Sequence, residues 1–215
     1  MFAWLKDEIN NIKTHDPAAR SAIEIFFLYP GFLAVRMHRR ANWYQRHKLY
    51  FLARLVSQRA VKKTGIEIHP AATLGRRVFI DHGTGVVIGE TAVVGDDVTI
   101  YQGVTLGGTG KHTGKRHPTI GNGVMIGAGA KVLGPFTVGD GSRIAAGAVV
   151  LHEIPPYSTA VGVPARVVKR GDVRISDELD QVHVPDPVAQ KLCMLESKIY
   201  HLEQQLKQER ESREN

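Results

Sequence analysis

Residues 120–150 read IGNGVMIGAGAKVLGPFTVGDGSRIAAGAVV, with an aliphatic side chain at Ile120, Ile126, Val132, Val138, Ile144 and Val150, one every six positions. Upstream, the same period appears in two further phases, Ile88, Val94, Ile100, Leu106 and, before them, Ile68, Leu74, Ile80, Val86. A small residue often follows the aliphatic one, as in Ile88-Gly89, Ile120-Gly121 and Ile144-Ala145. An amphipathic helix would need steps of three and four, and a half-buried strand steps of two. A period of six instead suits a triangular solenoid, in which each hexad lays a short strand along one side and turns a corner. Three hexads close a coil, and stacked coils bury an aliphatic column. An inward residue such as Ile126 contributes about 1.5–3 kcal/mol by burial.

The column changes phase twice. Two extra residues enter around Asp81-His82-Gly83-Thr84-Gly85, and residues 107–119, GGTGKHTGKRHPT, form a polar, glycine-rich excursion. Solenoids carry binding residues on such departures, and both contain histidine. The glycines of Gly107 to Lys115 suggest a segment able to close over a ligand.

Outside the repeat the organisation changes. Residues 1–64 lack strand punctuation and are expected to be helical, with Asp16-Pro17 as a helix start and Gly65 as the stop. The solenoid is expected over 65–170, followed by a polar linker over 171–187. A helix is expected over 188–215, where Leu192, Leu195, Ile199, Leu202 and Leu206 alternate steps of three and four. That seam suits a coiled coil or a helix packed on its own body. The expected architecture is mainly β with α, a parallel β-helix between helical ends.

Composition narrows the function classes. With 43% hydrophobic and 23% charged residues, the 215-residue chain is ordinary for a globular protein. Its single cysteine, Cys193, cannot form an intrachain disulfide, which suits a reducing compartment. The first residues mix charges with apolar groups, and the most apolar stretch, 22–35, is broken by Glu24, Pro30 and Gly31. Neither a signal peptide nor a membrane span is expected, and the expected location is the cytoplasm. The formal charge of +7 is scattered along the chain, without the basic stripe of a nucleic-acid reader, so a phosphate-rich small molecule is the expected anionic partner.

The motifs EIHPAA (67–72), DHGTGVVIGET (81–91), TLGGTGK (105–111), RHPTIGNGVMIGAGAKVLG (116–134) and GVPARVV (162–168) together resemble the serine O-acetyltransferases of the hexapeptide-repeat superfamily. The resemblance implies a left-handed coil, an exception to the usual crossover preference, and trimers with active sites between subunits. It also implies transfer of acetyl from acetyl-coenzyme A to L-serine in cysteine biosynthesis, with no tightly bound cofactor or metal and with cysteine as feedback inhibitor. The helical region looks shorter than in long family members, which favours a trimer over a hexamer. Family members can dock O-acetylserine sulfhydrylase through a terminal isoleucine; this chain ends SREN at Asn215, so that partner is not expected.

Serine's hydroxyl is a poor nucleophile near neutral pH and needs a base of suitable pKa. The resemblance places that base at His82, whose other reading is a corner histidine bonded to backbone. It places the carboxylate that holds the imidazole at Glu67, where the family often has Asp, and a second essential histidine at His117. Arg116 is expected to clamp the serine carboxylate. Asp16 and Asp81 are expected to receive the ammonium, although a helix cap would equally explain Asp16. For coenzyme A the candidates are Gly127, Ala128, Ala145 and Ala146 beside the pantetheine arm, with Lys131 and Lys169 at the phosphates; solenoid corners alone would also require small residues. Two other functions stay open on the residues themselves: acetylation of a sugar or drug, and zinc binding by a histidine-bearing solenoid, for which closely spaced ligand histidines are lacking.

Overall fold

The computed structural model describes residues 2–110, 113–170, 194, 195, 198–200 and 202. Four helices come first: α1 (Phe2–His15), α2 (Ala22–Leu28), α3 (Pro30–Arg46) and α4 (Tyr50–Thr64). Gly65 ends α4 in the left-handed conformation, its N–H bonded to Val61 O, as expected of a glycine at this position. The expectation for Asp16-Pro17 is corrected. These residues follow α1 in a turn, where Asp16 Oδ1 accepts the Ala18 N–H at 2.7 Å. The cap of the next helix is Ser21, whose Oγ accepts the Glu24 N–H at 3.1 Å. Asp-Pro favours turns as readily as helix starts, because the carboxylate can bond its own backbone two residues on.

Short strands then follow three to a coil. The first coil has β1 (Glu67–Ile68), β2 (Thr73–Leu74) and β3 (Phe79–Ile80), and the second β4 (Val87–Ile88), β5 (Val93–Val94) and β6 (Thr99–Ile100). The third has β7 (Thr105–Gly107), β8 (Thr119–Ile120) and β9 (Met125–Ile126), and the fourth β10 (Lys131–Leu133), β11 (Thr137–Val138) and β12 (Arg143–Ile144). In the last, β13 (Val149–Val150), the bridge residue Ile154 and β14 (Ser158–Val161) continue the three sides, and β15 (Arg166–Arg170) folds back antiparallel on β14. Up to β10 each strand pairs in parallel with the strand three places on, and β12 pairs with β14, giving three sheets. Side-chain registers follow the hexads, with Ile68, Ile88, Leu106, Val132 and Val150 stacked on one side.

The interior holds two columns rather than one. Beside the expected aliphatic positions, the residue two places earlier is also buried, as at Ile66, Ala72, Val98, Val104, Val124, Ala130 and Ala148. Val86 belongs to this second column, two residues before Ile88, and not to the first.

The first coil has no coil beneath it, so its outer edge would leave carbonyls unpaired. The helices supply the donors. Ser57 Oγ donates to Ile68 O at 2.9 Å, Arg39 Nη1 to Leu74 O at 2.9 Å, and Asn42 Nδ2 to Pro70 O at 2.8 Å and Ala72 O at 3.2 Å. Close approach at α3 requires Gly31, where a Cβ would lie 2.1 Å from Ile80 O. Helices and coils over residues 1–182 form one compact unit, and residues 183–215 form a second. In the latter, residues 194, 195, 198–200 and 202 are helical, with Leu195, Ile199 and Leu202 exposed. The expected linker, Leu192 and Leu206 lie outside the described residues. Among the described residues no helix is long and apolar enough to cross a membrane.

Candidate active site

The first phase break places His82 on the turn after β3, exposed and with φ of +56°, a conformation uncommon for residues other than glycine, though enriched in Asn, Asp and His. Its Nε2 lies 3.9 Å from Asp81 Oδ1. Asp81 is half-buried, and burial pushes its carboxyl above the ordinary range; the charge of nearby Asp16 adds to this, while His82 opposes it. Asp16 Oδ2 accepts the Tyr29 hydroxyl at 2.7 Å, and burial followed by this bond holds the phenol well above its usual pKa. Residues from the α1–α2 turn, the start of α3 and the first phase break thus meet in an acidic corner beside an open imidazole. Tyr29 could not be found from spacing, because what brings it here is the packing of α3.

The second phase break builds another cluster against the edge of β4 and β5. The His117 ring is buried and lies against Gly89, where a Cβ would sit 2.0 Å from His117 Cδ2 and 2.1 Å from Nε2. Thr91 fixes the ring. Its Oγ1 accepts the N–H groups of Arg116 (3.0 Å) and His117 (3.1 Å) and lies 2.9 Å from His117 Nδ1, which also receives the Thr91 N–H at 3.2 Å. With two donors already aimed at Oγ1, the threonine proton points to Nδ1. Nδ1 is therefore an acceptor and Nε2 carries the hydrogen. Burial, and then the Arg116 charge, lower the His117 pKa and keep it neutral.

Arg116 is not an unpaired fork. Its Nη2 meets Glu90 Oε2 at 2.5 Å, which holds the Glu90 carboxyl below its ordinary range and leaves Nη1 and Nε for other partners. Lys115 Nζ donates to Thr91 O at 2.8 Å, and burial lowers its pKa. Glu90, Thr91 and Gly89 are further residues that sequence reasoning missed; Glu90 and Thr91 bond to partners 26 positions away.

Glu67 is half-buried on β1 opposite Val87 and interacts electrostatically with His69. Among the described residues it makes no hydrogen bond or ion pair with His82. The cofactor candidates lie on the β9–β10 and β12–β13 corners. Gly127 is small because the next coil sits on it, a Cβ there falling 2.6 Å from Ala146 N; Ala145 is buried, while Ala128 is half-buried and Ala146 exposed. The neighbouring edge is a stack of left-handed glycines, Gly85, Gly103, Gly129 and Gly147; the Gly85 N–H bonds Gly65 O at the end of α4, and the other three bond the preceding coil. A Cβ at Gly129 or Gly147 would meet open space. The Lys131 ammonium bonds Gly103 O and lies 3.1 Å from Thr105 Oγ1, which leaves one of its three N–H donors for a phosphate. Lys169 is on β15 opposite Thr159, and its side chain is outside the described set, as are residues 111 and 112 of the excursion. Among the described residues no three His, Cys, Asp or Glu side chains are placed to hold one metal ion.

The bacterial transferase hexapeptide family (six repeats) matches residues 117–152. The serine acetyltransferase of Bacillus subtilis (strain 168) is 52% identical over 210 residues, covering 98% of this chain and 97% of its own. Among solved structures, a serine acetyltransferase in complex with cysteine aligns at TM-score 0.81 and 39% identity, covering 85% of this chain and 71% of that one. The serine acetyltransferase of Brucella abortus strain S19 in complex with coenzyme A aligns at TM-score 0.76 and 45% identity, over 80% and 69% of the two chains. The three-sheet coil described above is the left-handed parallel β-helix. With a repeat, two excursions and a near full-length match all in agreement, the chain belongs to the serine acetyltransferase family.

Proposed function

We propose that His82 is the base of the family reaction and that Asp16, Asp81, Arg116 and His117 hold the amino acid around it. The reaction itself moves acetyl from acetyl-coenzyme A to the L-serine hydroxyl, giving O-acetyl-L-serine and coenzyme A in the first step of cysteine biosynthesis. His82 accepts the hydroxyl proton as serine Oγ attacks the thioester carbon. The C–S bond then breaks, and the imidazolium returns the proton to the departing thiolate. The observation that carries this reading is the acidic corner. Two carboxylates that repel one another, one of them pushed up by burial, lie beside an exposed imidazole and suit an ammonium group.

His117, neutral with hydrogen on Nε2, suits donation to the thioester oxygen as it gains charge, or to the serine carboxylate. Arg116, steadied by Glu90, offers its two remaining nitrogens to that carboxylate. Glu67 supports the His82 side through the field of its carboxylate or after a small shift of the ring. The open glycine edge beside Ala128 and Ala146 is where the pantetheine arm fits, and Lys131 and Lys169 stay the phosphate candidates. A relative solved with cysteine makes feedback inhibition at the serine contacts the expected regulation.

The assembly proposed is a homotrimer, with the His117 cluster completing a neighbour's His82 corner and the exposed Leu195, Ile199 and Leu202 forming a seam. The sulfhydrylase is not proposed as a partner. The test is thiol release from acetyl-coenzyme A with L-serine and with sugar acceptors, for wild type and His82→Asn. Asn tolerates the left-handed backbone at this position better than Ala. The expected result is serine-dependent turnover that falls about 10²–10⁴-fold in the variant, with three chains by light scattering in both. Equal rates would remove His82 from the role, and six chains would overturn the trimer.

A further inference from the structure

Away from the His82 corner, helices α1, α2 and α3 and the turn after β2 line an open cleft of about 1030 Å³. This is at the upper end of small-ligand sites, roughly 300–1,000 Å³. Five guanidinium groups line it, Arg36, Arg39, Arg40, Arg76 and Arg77, against one carboxylate, Asp7. Arginine cannot shed its charge in a protein; Asp97 and Glu8, outside the lining, offset Arg77 and Arg39, and the excess rests on Arg36 and Arg40.

Three of the five are occupied in holding the fold together. Arg77 forms a fork on Asp97 at 2.5 and 2.7 Å. Arg76 shares Asp7 with Arg77, at 3.6 and 3.3 Å. Arg39 gives its terminal nitrogens to Leu74 O and Gly75 O. Arg36 and Arg40 differ. They stand four residues apart on α3, the spacing at which like charges on a helix repel, and neither has a carboxylate within ion-pair distance among the described residues. Arg36 stacks 4.1 Å above the Phe26 ring, and burial and then the Arg40 charge lower its pKa. The lining also includes Leu5, Phe26 and Trp4, whose ring lies 5.7 Å from the Arg39 guanidinium.

We propose that this cleft binds a phosphate ester carrying a flat ring, a nucleoside phosphate in class, with its anion on Arg36 and Arg40 and its ring against Trp4 and Phe26. An anion there relieves the repulsion between the two arginines, and guanidinium forks match phosphate oxygens in pairs. An inorganic anion alone would leave the aromatic walls unused. The site needs none of the residues assigned to serine or acetyl transfer, so it stands or falls independently of those assignments.

Trp4 supplies a local reporter once the chain's other tryptophan, Trp43, is replaced by Phe. Adenosine monophosphate should quench its emission saturably, and inorganic phosphate should bind about tenfold more weakly or worse. Arg36→Gln with Arg40→Gln should weaken the nucleotide about tenfold to a hundredfold. The KM for acetyl-coenzyme A should stay at the parental value, which separates this cleft from the cosubstrate site. In the parent, binding should also fall as salt rises, a measurement that holds even if the double variant folds poorly. Absence of saturable quenching, phosphate binding as tightly as the nucleotide, salt-independent binding, or equal affinity in a folded double variant would each overturn the proposal.

Discussion

Replacing Thr91 by valine removes one oxygen that closes three hydrogen bonds at once. Oγ1 accepts two backbone N–H groups and donates to His117 Nδ1, while the Thr91 N–H alone would remain on the ring. Each bond contributes about 1 kcal/mol net, and the three together about 3 kcal/mol. If that loss falls on the reacting complex, it corresponds to about a hundredfold in kcat/KM at 1.36 kcal/mol per tenfold. If it falls on the fold instead, the melting temperature drops and kcat is spared. Steady-state kinetics and a thermal melt on Thr91→Val separate these outcomes. Nitrogen-15 shifts of the His117 ring report its bonding, and the expectation is a shifted Nδ1 resonance as it loses one of two donors, with the hydrogen kept on Nε2 by the Thr91 N–H. Thr91→Ser keeps the oxygen and should stay within about threefold of wild type. Wild-type kinetics with an unchanged ring spectrum in Thr91→Val, or a serine variant as impaired as the valine one, would refute the hydrogen-bond accounting.

Gly89→Ala places a methyl where the His117 ring lies, 2.0 Å from Cδ2. Turnover should fall at least about tenfold from a misplaced ring, while circular dichroism stays unchanged because the Gly89 φ is not in the left-handed region. His38 is buried and its pKa is lowered by that burial to about 4. The unfolded chain therefore binds the proton first as pH falls, so this contribution to stability is full above about 6.5 and is lost as pH falls toward 4. It amounts to something on the order of 3 kcal/mol, and denaturant titrations at pH 7 and pH 4.5 on wild type and His38→Gln should show the difference shrinking in the variant. Gly31→Val drives a side chain into Ile80 O, where even a Cβ would be 2.1 Å away, and should cost several kcal/mol of stability by parting α3 from the first coil.

The coil was legible because burial writes itself into the sequence: a side chain that must point inward every six residues leaves a visible column. The second column is harder to see, because its members mix Ala with larger aliphatics, and Val86 falls six residues after Ile80 while belonging to it. His82 and His117 announced themselves by sitting where the period fails. Their neighbours did not. Tyr29 reaches Asp16 through helix packing, and Thr91 and Glu90 reach the second excursion across 26 residues. Lys131 shows a different limit: its sequence position did not reveal that its ammonium also bonds Gly103 O and approaches Thr105. Asp16-Pro17 carried two local meanings, and only the tertiary setting chose the turn over the cap.

Side chains of α1, α3 and α4 seal the outer edge of the first coil, and the β14–β15 hairpin folds back over the last. A ladder closed at both termini can lengthen or shorten only from within, and only by whole rungs. Strands in a sheet are about 4.8 Å apart, so one rung gained or lost between residues 82 and 117 would offset the two histidine-bearing excursions by that distance. Duplications of a rung between the two excursions, or between Ala128 and Ala146 on the proposed cofactor edge, should therefore be purged from descendants of this gene.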